Sequence, residues 1–150
     1  MTAEVDALQD GALKGGALVW GVKASLVGYV RGMADGRVEA TGGAEVVDDG
    51  FRFPRGEGDD PLAFRGSVAL TGHGGMLRVV IADPALRETA GGWAIEIADP
   101  DEPEVRLRFA TLQAFDGERA TGTALTAEGA DLFFFGPYAQ GTPLDDPVVA

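Results

Sequence analysis

The 150-residue chain contains no cysteine and a single histidine. The first absence excludes disulfides, thiolate catalysis and cysteine-based zinc sites. The second makes a multi-histidine metal centre impossible. Basic residues are scarce, with 12 Lys and Arg against 24 Asp and Glu, and the formal net charge is −12. Affinity for nucleic acid rests on neutralising phosphates with Lys and Arg, so this balance, with a pI near 4.3, argues against a nucleic-acid partner and against adhesion to an anionic membrane. No apolar run approaches the roughly 18 to 20 residues of a membrane span. The opening "MTAEVDALQDGALKGG" has neither a basic n-region nor an apolar h-region, so no signal peptide is expected and the chain as given is expected in the cytoplasm. G-x-S-x-G, Rossmann, P-loop and calcium-loop patterns are all missing.

What is present is a globular composition, 45% hydrophobic and 24% charged, long enough for one domain with a buried core. The 23 glycines are dispersed, which points to many short turns rather than to a repeat. Residues 1–16 read as a flexible lead-in and residues 17–150 as a single domain. In "ALVWGVKASLVGYVRGM" apolar residues recur with helical spacing, predicting a helix over about 21–32 closed by Gly32. From residue 35 the period becomes that of strands, with turns expected at Gly42-Gly43 and Asp49-Gly50. "PLAFRGSVALTG" and "MLRVVIADPAL" read as two strands flanking His73-Gly74-Gly75, and "GGWAIEIADP" and "EVRLRFATLQAF" as another pair. "RATGTALTAE" reads as a last strand entering a short helix over about 126–134, with Thr126 as its N-cap. The tail from Phe133, "FFFGPYAQGTPLDDPVVA", is irregular and aromatic-rich. The expected class is mainly β, an antiparallel sandwich or barrel-like domain of seven to ten strands with one N-terminal and one short C-terminal helix.

Two side chains stand out. His73 sits among glycines at a hairpin turn and is either an ordinary surface histidine or a proton handle, being the one side chain with an unperturbed pKa near neutrality. Tyr29 lies on the predicted helix, four residues after Ser25 and so on the same face. It is either a core tyrosine or an oxygen ligand facing a pocket. Among the side chains left by this composition, tyrosine is the one suited to haem iron. The acidic pairs Asp48-Asp49, Asp59-Asp60 and Asp145-Asp146 sit beside Gly or Pro and read as solvated turns.

The segment "LVWGVKASLVGYVRG" resembles the opening motif of the HtaA domain, a haem-binding module of actinobacterial haem-uptake proteins. "GFRFP", "GSVALTGHGGMLRVVIADP" and "LTAEGADLFFFGPYAQGTPLDDPV" are similar to the family's later segments, in order, from Leu18 to Val148. The resemblance implies a β-rich fold with two helices. It also implies that Tyr29 is the axial ligand of ferric haem b, that His73 hydrogen-bonds that tyrosine, and that Ser25 contacts the haem. On that reading the pocket walls are expected from Val22, Leu26, Val30, Phe51 and Leu77, and compensation for the propionates from Ser25, Lys23 or backbone N–H groups. The role implied is haem transfer, storage or buffering, with a haem donor or acceptor protein as partner. Family members are usually secreted or cell-envelope proteins. Two other readings remain open at this point: an enzyme on the same scaffold, peroxidase-like or using Tyr29 and His73 as a cofactor-free acid–base pair, and an interaction module that has lost haem.

Overall fold

A computed structural model describes residues 16–48, 50–133 and 137–150. The chain runs β1 (Leu18–Trp20), α1 (Ala24–Gly32), β2 (Arg37–Thr41), β3 (Glu45–Val47), β4 (Gly50–Phe53), β5 (Ser67–Gly72) and, after a single 3-10 turn at His73–Gly75, β6 (Leu77–Ala82). It continues through β7 (Ala85–Thr89), β8 (Gly92–Ala98), β9 (Arg106–Leu112), β10 (Ala114–Phe115), β11 (Ala120–Thr121), β12 (Ala124–Leu125), α2 (Ala127–Ala130) and β13 (Val148–Val149). The strands form four small antiparallel sheets, ordered β13-β1-β4-β3, β2-β5-β6, β12-β9-β8-β7 and β10-β11.

Side chains of period two dictate which way each sheet faces. Along β5, Val68, Leu70 and Gly72 point inward, and along β6, Leu77, Val79 and Ile81 do the same. Their register, Val68 with Ile81, Leu70 with Val79 and Gly72 with Leu77, puts all six on one face. Between β8 and β9 the register shifts at Ile95/Glu96, where the pairing passes from Ala110 to Arg108 and skips Phe109. The extra residue lies in β9, so Phe109 and Ala110 are buried consecutively there. The inward faces meet in one cluster centred on Trp20, Phe51, Phe53 and Phe109. There the edge of the Trp20 indole packs on Phe109 with centroids 5.9 Å apart, joining β1 to β9.

Helix α1 lies against this core through Leu26, Val27 and Val30, the i, i+1 and i+4 positions of an apolar stripe. Its start is fixed from the far end of the chain. Val22 carries a positive φ of 59°, an outlier for a β-branched residue, which turns the chain from β1 into the helix. The Val22 carbonyl accepts from the Asp145 N–H at 2.9 Å, and the Asp145 carbonyl accepts from Trp20 Nε1 at 2.7 Å. The Asp145 carboxylate accepts from the Ala24 N–H at 3.1 Å, satisfying one of the open donors at the helix start.

The mainly-β, antiparallel architecture with two helices agrees with the sequence reading; several details differ. The first helix begins at Ala24 rather than near residue 21, because the left-handed Val22 and the extended Lys23 cannot be helical. The second ends at Ala130, well short of residue 134, although Thr126 does cap it by accepting from the Gly129 N–H. The described residues hold 13 strands rather than seven to ten, since two-residue pairings such as β10 with β11 leave no periodic signature. The last of them is not the segment before α2 but β13, in the tail, where Val149 pairs with Leu18. The lead-in over residues 1–15, the turn residue Asp49 and residues 134–136 lie outside the described residues.

Two measurements check these contacts. Replacing Asp145 with Ala removes the acceptor at the start of α1 and is expected to cost about 1 kcal/mol in urea unfolding. Asp60 accepts from the Leu62 N–H and pairs with Arg87, and these bonds hold its carboxyl below the ordinary carboxylate range. A depressed folded pKa contributes stability above the unfolded value that disappears as pH falls through the folded one. Asp60→Asn should therefore flatten the acid limb of a melting-temperature profile below about pH 4. The effect should be at most about 1 kcal/mol, because the pair is more than a third exposed.

Candidate functional site

Helix α1 buries one face, and its other face carries Ser25, Gly28, Tyr29 and Gly32, all exposed. The spacing of three and four residues makes these a continuous stripe. Tyr29 is 53% exposed, so it is no core residue, although it projects from an otherwise core-packed helix. No heavy atom outside the helix's own backbone lies within 4 Å of a side chain placed at Gly28 or Gly32. Packing within the chain therefore does not demand glycine at either position, and an interior helical glycine costs about 1 kcal/mol relative to alanine.

The β5–β6 turn comes up to this stripe. Tyr29 Oη and His73 Nε2 share a hydrogen bond of 2.6 Å, with ring centroids 5.5 Å apart and tilted by 47°. The turn is left-handed over three successive residues, with φ of 51° at His73, 64° at Gly74 and 93° at Gly75. The two glycines accept this readily, and a side chain at either would project into open space. Met76, next in the chain, is 62% exposed. Gly72, by contrast, is buried, and a Cβ there would lie 2.5 Å from the Met33 methyl. The segment after α1 and the hairpin are thus in close contact immediately below His73.

Asp35, in the turn between α1 and β2, reaches across the same gap. Its carboxylate accepts from the Gly74 N–H at 2.7 Å, and this bond, with a smaller contribution from the His73 N–H, holds its carboxyl below the ordinary range. Sequence reasoning missed this residue; in "MADGR" an Asp before Gly reads as nothing more than a turn. Tyr138 lies in the aromatic-rich tail. It stacks on Phe133 with centroids 4.6 Å apart, and burial, followed by the charge of Tyr29, pushes its phenol up.

Of the residues expected at a site, Tyr29, His73 and Ser25 lie on open surface or at its edge. Val22, Leu26, Val30, Phe51 and Leu77 do not: each is at most 4% exposed. As placed here they support α1 and the hairpin from beneath instead of presenting surface to a ligand, because strand and helix periodicity turns them into the core. Lys23 is engaged elsewhere, donating from Nζ to the Pro143 carbonyl at 2.8 Å. A cavity of about 420 Å³ lined by Gly16, Arg55, Leu62 and Val149 shares no residue with the Tyr29–His73 pair. Among the described residues no group of three or more His, Cys, Asp or Glu side chains is arranged to hold a metal ion, and no helix is long and apolar enough to cross a membrane.

Comparison with solved structures finds the same fold. The N-terminal domain of HtaA from Corynebacterium glutamicum matches with a TM-score of 0.62 at 19% identity, over 89% of this chain and 95% of that one. The C-terminal domain of HtaA from the same organism matches with a TM-score of 0.57 at 23% identity, over 89% and 94%. A domain-swapped dimer of a histidine-to-alanine variant of that C-terminal domain matches with a TM-score of 0.50 at 25% identity, over 87% and 93%. No curated protein sequence matches. The HtaA family model covers residues 15–150, from just before β1 to the last residue, and takes in α1 and the turn that carries His73: the chain belongs to the HtaA family.

Proposed function

We propose that this chain binds ferric haem b through the Tyr29 oxygen, with His73 as the partner of that oxygen, and that it holds haem reversibly for transfer, storage or buffering. The observation that carries the reading is the 2.6 Å bond between a solvent-open phenol and the only imidazole of the chain, in a member of the haem-associated HtaA family. Tyrosine oxygen is an established type of haem-iron ligand. The surroundings suit a flat macrocycle: small residues on the Tyr29 stripe of α1, open space above Gly74 and Gly75, and the exposed thioether of Met76 beside them. Ser25, exposed one turn before Tyr29, would donate its hydroxyl to the ligand edge. Val22, Leu26, Phe51 and Leu77 serve the site from below, by fixing the helix and the hairpin.

Bound haem supplies a Lewis-acidic iron that favours the deprotonated phenol. The chemistry left to the chain is proton bookkeeping at one atom. With the phenol neutral, Tyr29 Oη donates to Nε2. Once its proton has passed to Nε2, the imidazole N–H donates back to the phenolate oxygen, orienting it and drawing electron density from it. Return of that proton to Oη weakens the oxygen as a ligand and so opens a route to release. The same hydrogen bond serves capture and hand-over, as required by a protein that passes its cargo to a partner.

Titration of purified apoprotein with hemin, followed through the Soret and charge-transfer bands, tests the reading. Tyr29→Phe should abolish the tyrosinate signature, and His73→Ala should bind about 10- to 100-fold more weakly. Unchanged affinity and spectrum in Tyr29→Phe would sink the assignment. Gly28→Leu supplies an independent check on the helix stripe. It should melt no lower than the wild type, because the side chain meets open space, yet bind hemin more weakly because it occupies the face beside Tyr29.

A further inference from the structure

We propose that Asp35 is a positioning residue for His73: its carboxylate clamps the left-handed turn at His73–Gly75 and thereby holds the imidazole against the Tyr29 hydroxyl. Only the haem-binding part of the test below rests on the proposed function; the placement of the ring does not.

Three observations meet at this point. First, the turn needs an external fixture. His73, Gly74 and Gly75 are all left-handed, and two of the three are glycines, whose backbone has the widest choice of alternative conformations. The Met76 N–H bonds back to the His73 carbonyl at 3.1 Å, which closes the turn on itself without fixing its direction relative to α1. Second, Asp35 supplies that direction. It accepts from the Gly74 N–H at 2.7 Å, the peptide unit that begins at the His73 carbonyl carbon, so the clamp acts one bond away from the residue whose ring must be aimed. Third, Asp35 is itself held in place relative to Tyr29. It follows α1 by three residues, and the next residue, Gly36, is packed so tightly on the helix that a Cβ there would lie 1.7 Å from the Val30 carbonyl oxygen. The Gly36 N–H also bonds to the Met33 carbonyl at 3.1 Å. Tyr29 and Asp35 therefore belong to one rigid unit, the helix and its closing turn. That unit grips the hairpin at two points, a ring nitrogen and a backbone N–H of adjacent residues.

Asp35 is fully open to solvent and contributes nothing to the core, so its removal should leave the fold intact while loosening the ring. Because the chain has one histidine, its imidazole gives a single, unambiguous set of NMR signals. In apoprotein, Asp35→Ala should move those signals toward the positions seen in Tyr29→Phe, where the bond is absent by construction. Asp35→Asn, which keeps an accepting oxygen, should stay close to the wild type. With hemin bound, Asp35→Ala should lose haem to an excess of apomyoglobin about tenfold faster than the wild type, and Asp35→Asn should not. Far-UV circular dichroism and melting temperature should be alike for all three proteins.

Imidazole signals of Asp35→Ala that coincide with the wild type would overturn the proposal. So would equal displacement in Asp35→Ala and Asp35→Asn, which would mean that the charge acts through space and that no clamp exists. If the wild type fails to take up hemin, the haem reading falls, and the apoprotein spectra still decide whether Asp35 places the ring.

Discussion

The hydrogen bond between the Tyr29 hydroxyl and His73 Nε2 spans 44 positions in the chain, and much of the surrounding structure is arranged so that it can form at the surface. A phenol on an exposed helical face and an imidazole at a hairpin tip both meet water that competes for their hydrogen bond. Holding them at 2.6 Å requires that helix and hairpin be fixed relative to one another by something other than the bond itself. The core does this. Leu26, Val27 and Val30 on α1 pack in the same buried cluster as Leu70, Leu77 and Val79 of the hairpin. Burial of that kind contributes about 1.5–3 kcal/mol for each large side chain, well above the worth of one half-exposed hydrogen bond.

The helix is also tied down from the end of the chain. Asp145 meets Trp20, Val22 and Ala24 through three separate hydrogen bonds, and β13 closes against β1. The left-handed Val22 is the bend that makes this possible. The position and pitch of Tyr29 thus depend on residues more than 110 positions later in the sequence. The order of motifs along the chain says nothing of that dependence, yet the site cannot be assembled without it.

How far the fold was legible follows from the same physics. The β5–β6 hairpin could be read directly, because period two runs through six residues on each side of a glycine-rich turn, and the helix could be read from the apolar spacing through Val22, Leu26, Tyr29 and Val30. Thr126 was visible as a cap because a hydroxyl before a short helical stretch is a local signal. The strands β1 and β13 were not, since they arise from pairing between distant segments. For the site, residue chemistry singled out Tyr29 and His73, and the family resemblance paired them. Val22, Leu26, Phe51 and Leu77 were legible as apolar, and the structure buries them beneath α1 and the hairpin. Hydrophobicity alone does not distinguish a pocket wall from the core behind it. Asp35 escaped because its partner is a backbone N–H, and a backbone N–H has no sequence signature.

Magnitudes bear on why this surface exists at all. A hydrogen bond between neutral groups contributes about 1 kcal/mol net, and one with a partner as exposed as Tyr29 lies at the low end of that range. Against it stand a left-handed histidine, at about 1 kcal/mol, and a glycine in the middle of a short helix, at about 1 kcal/mol. To these add the glycine-rich turn, which loses more conformational entropy on folding than other residues would. With the Asp35–Gly74 bond counted on the other side, the face carrying Tyr29 and His73 adds little net stability, while the core beneath it supplies the bulk. An open surface of that kind, made of small residues around Tyr29, His73 and Asp35, suits the binding site for a flat ligand proposed above. On that proposal, contacts with haem supply stabilisation only when it is present, so affinity for haem and stability of the empty protein draw on the same few residues.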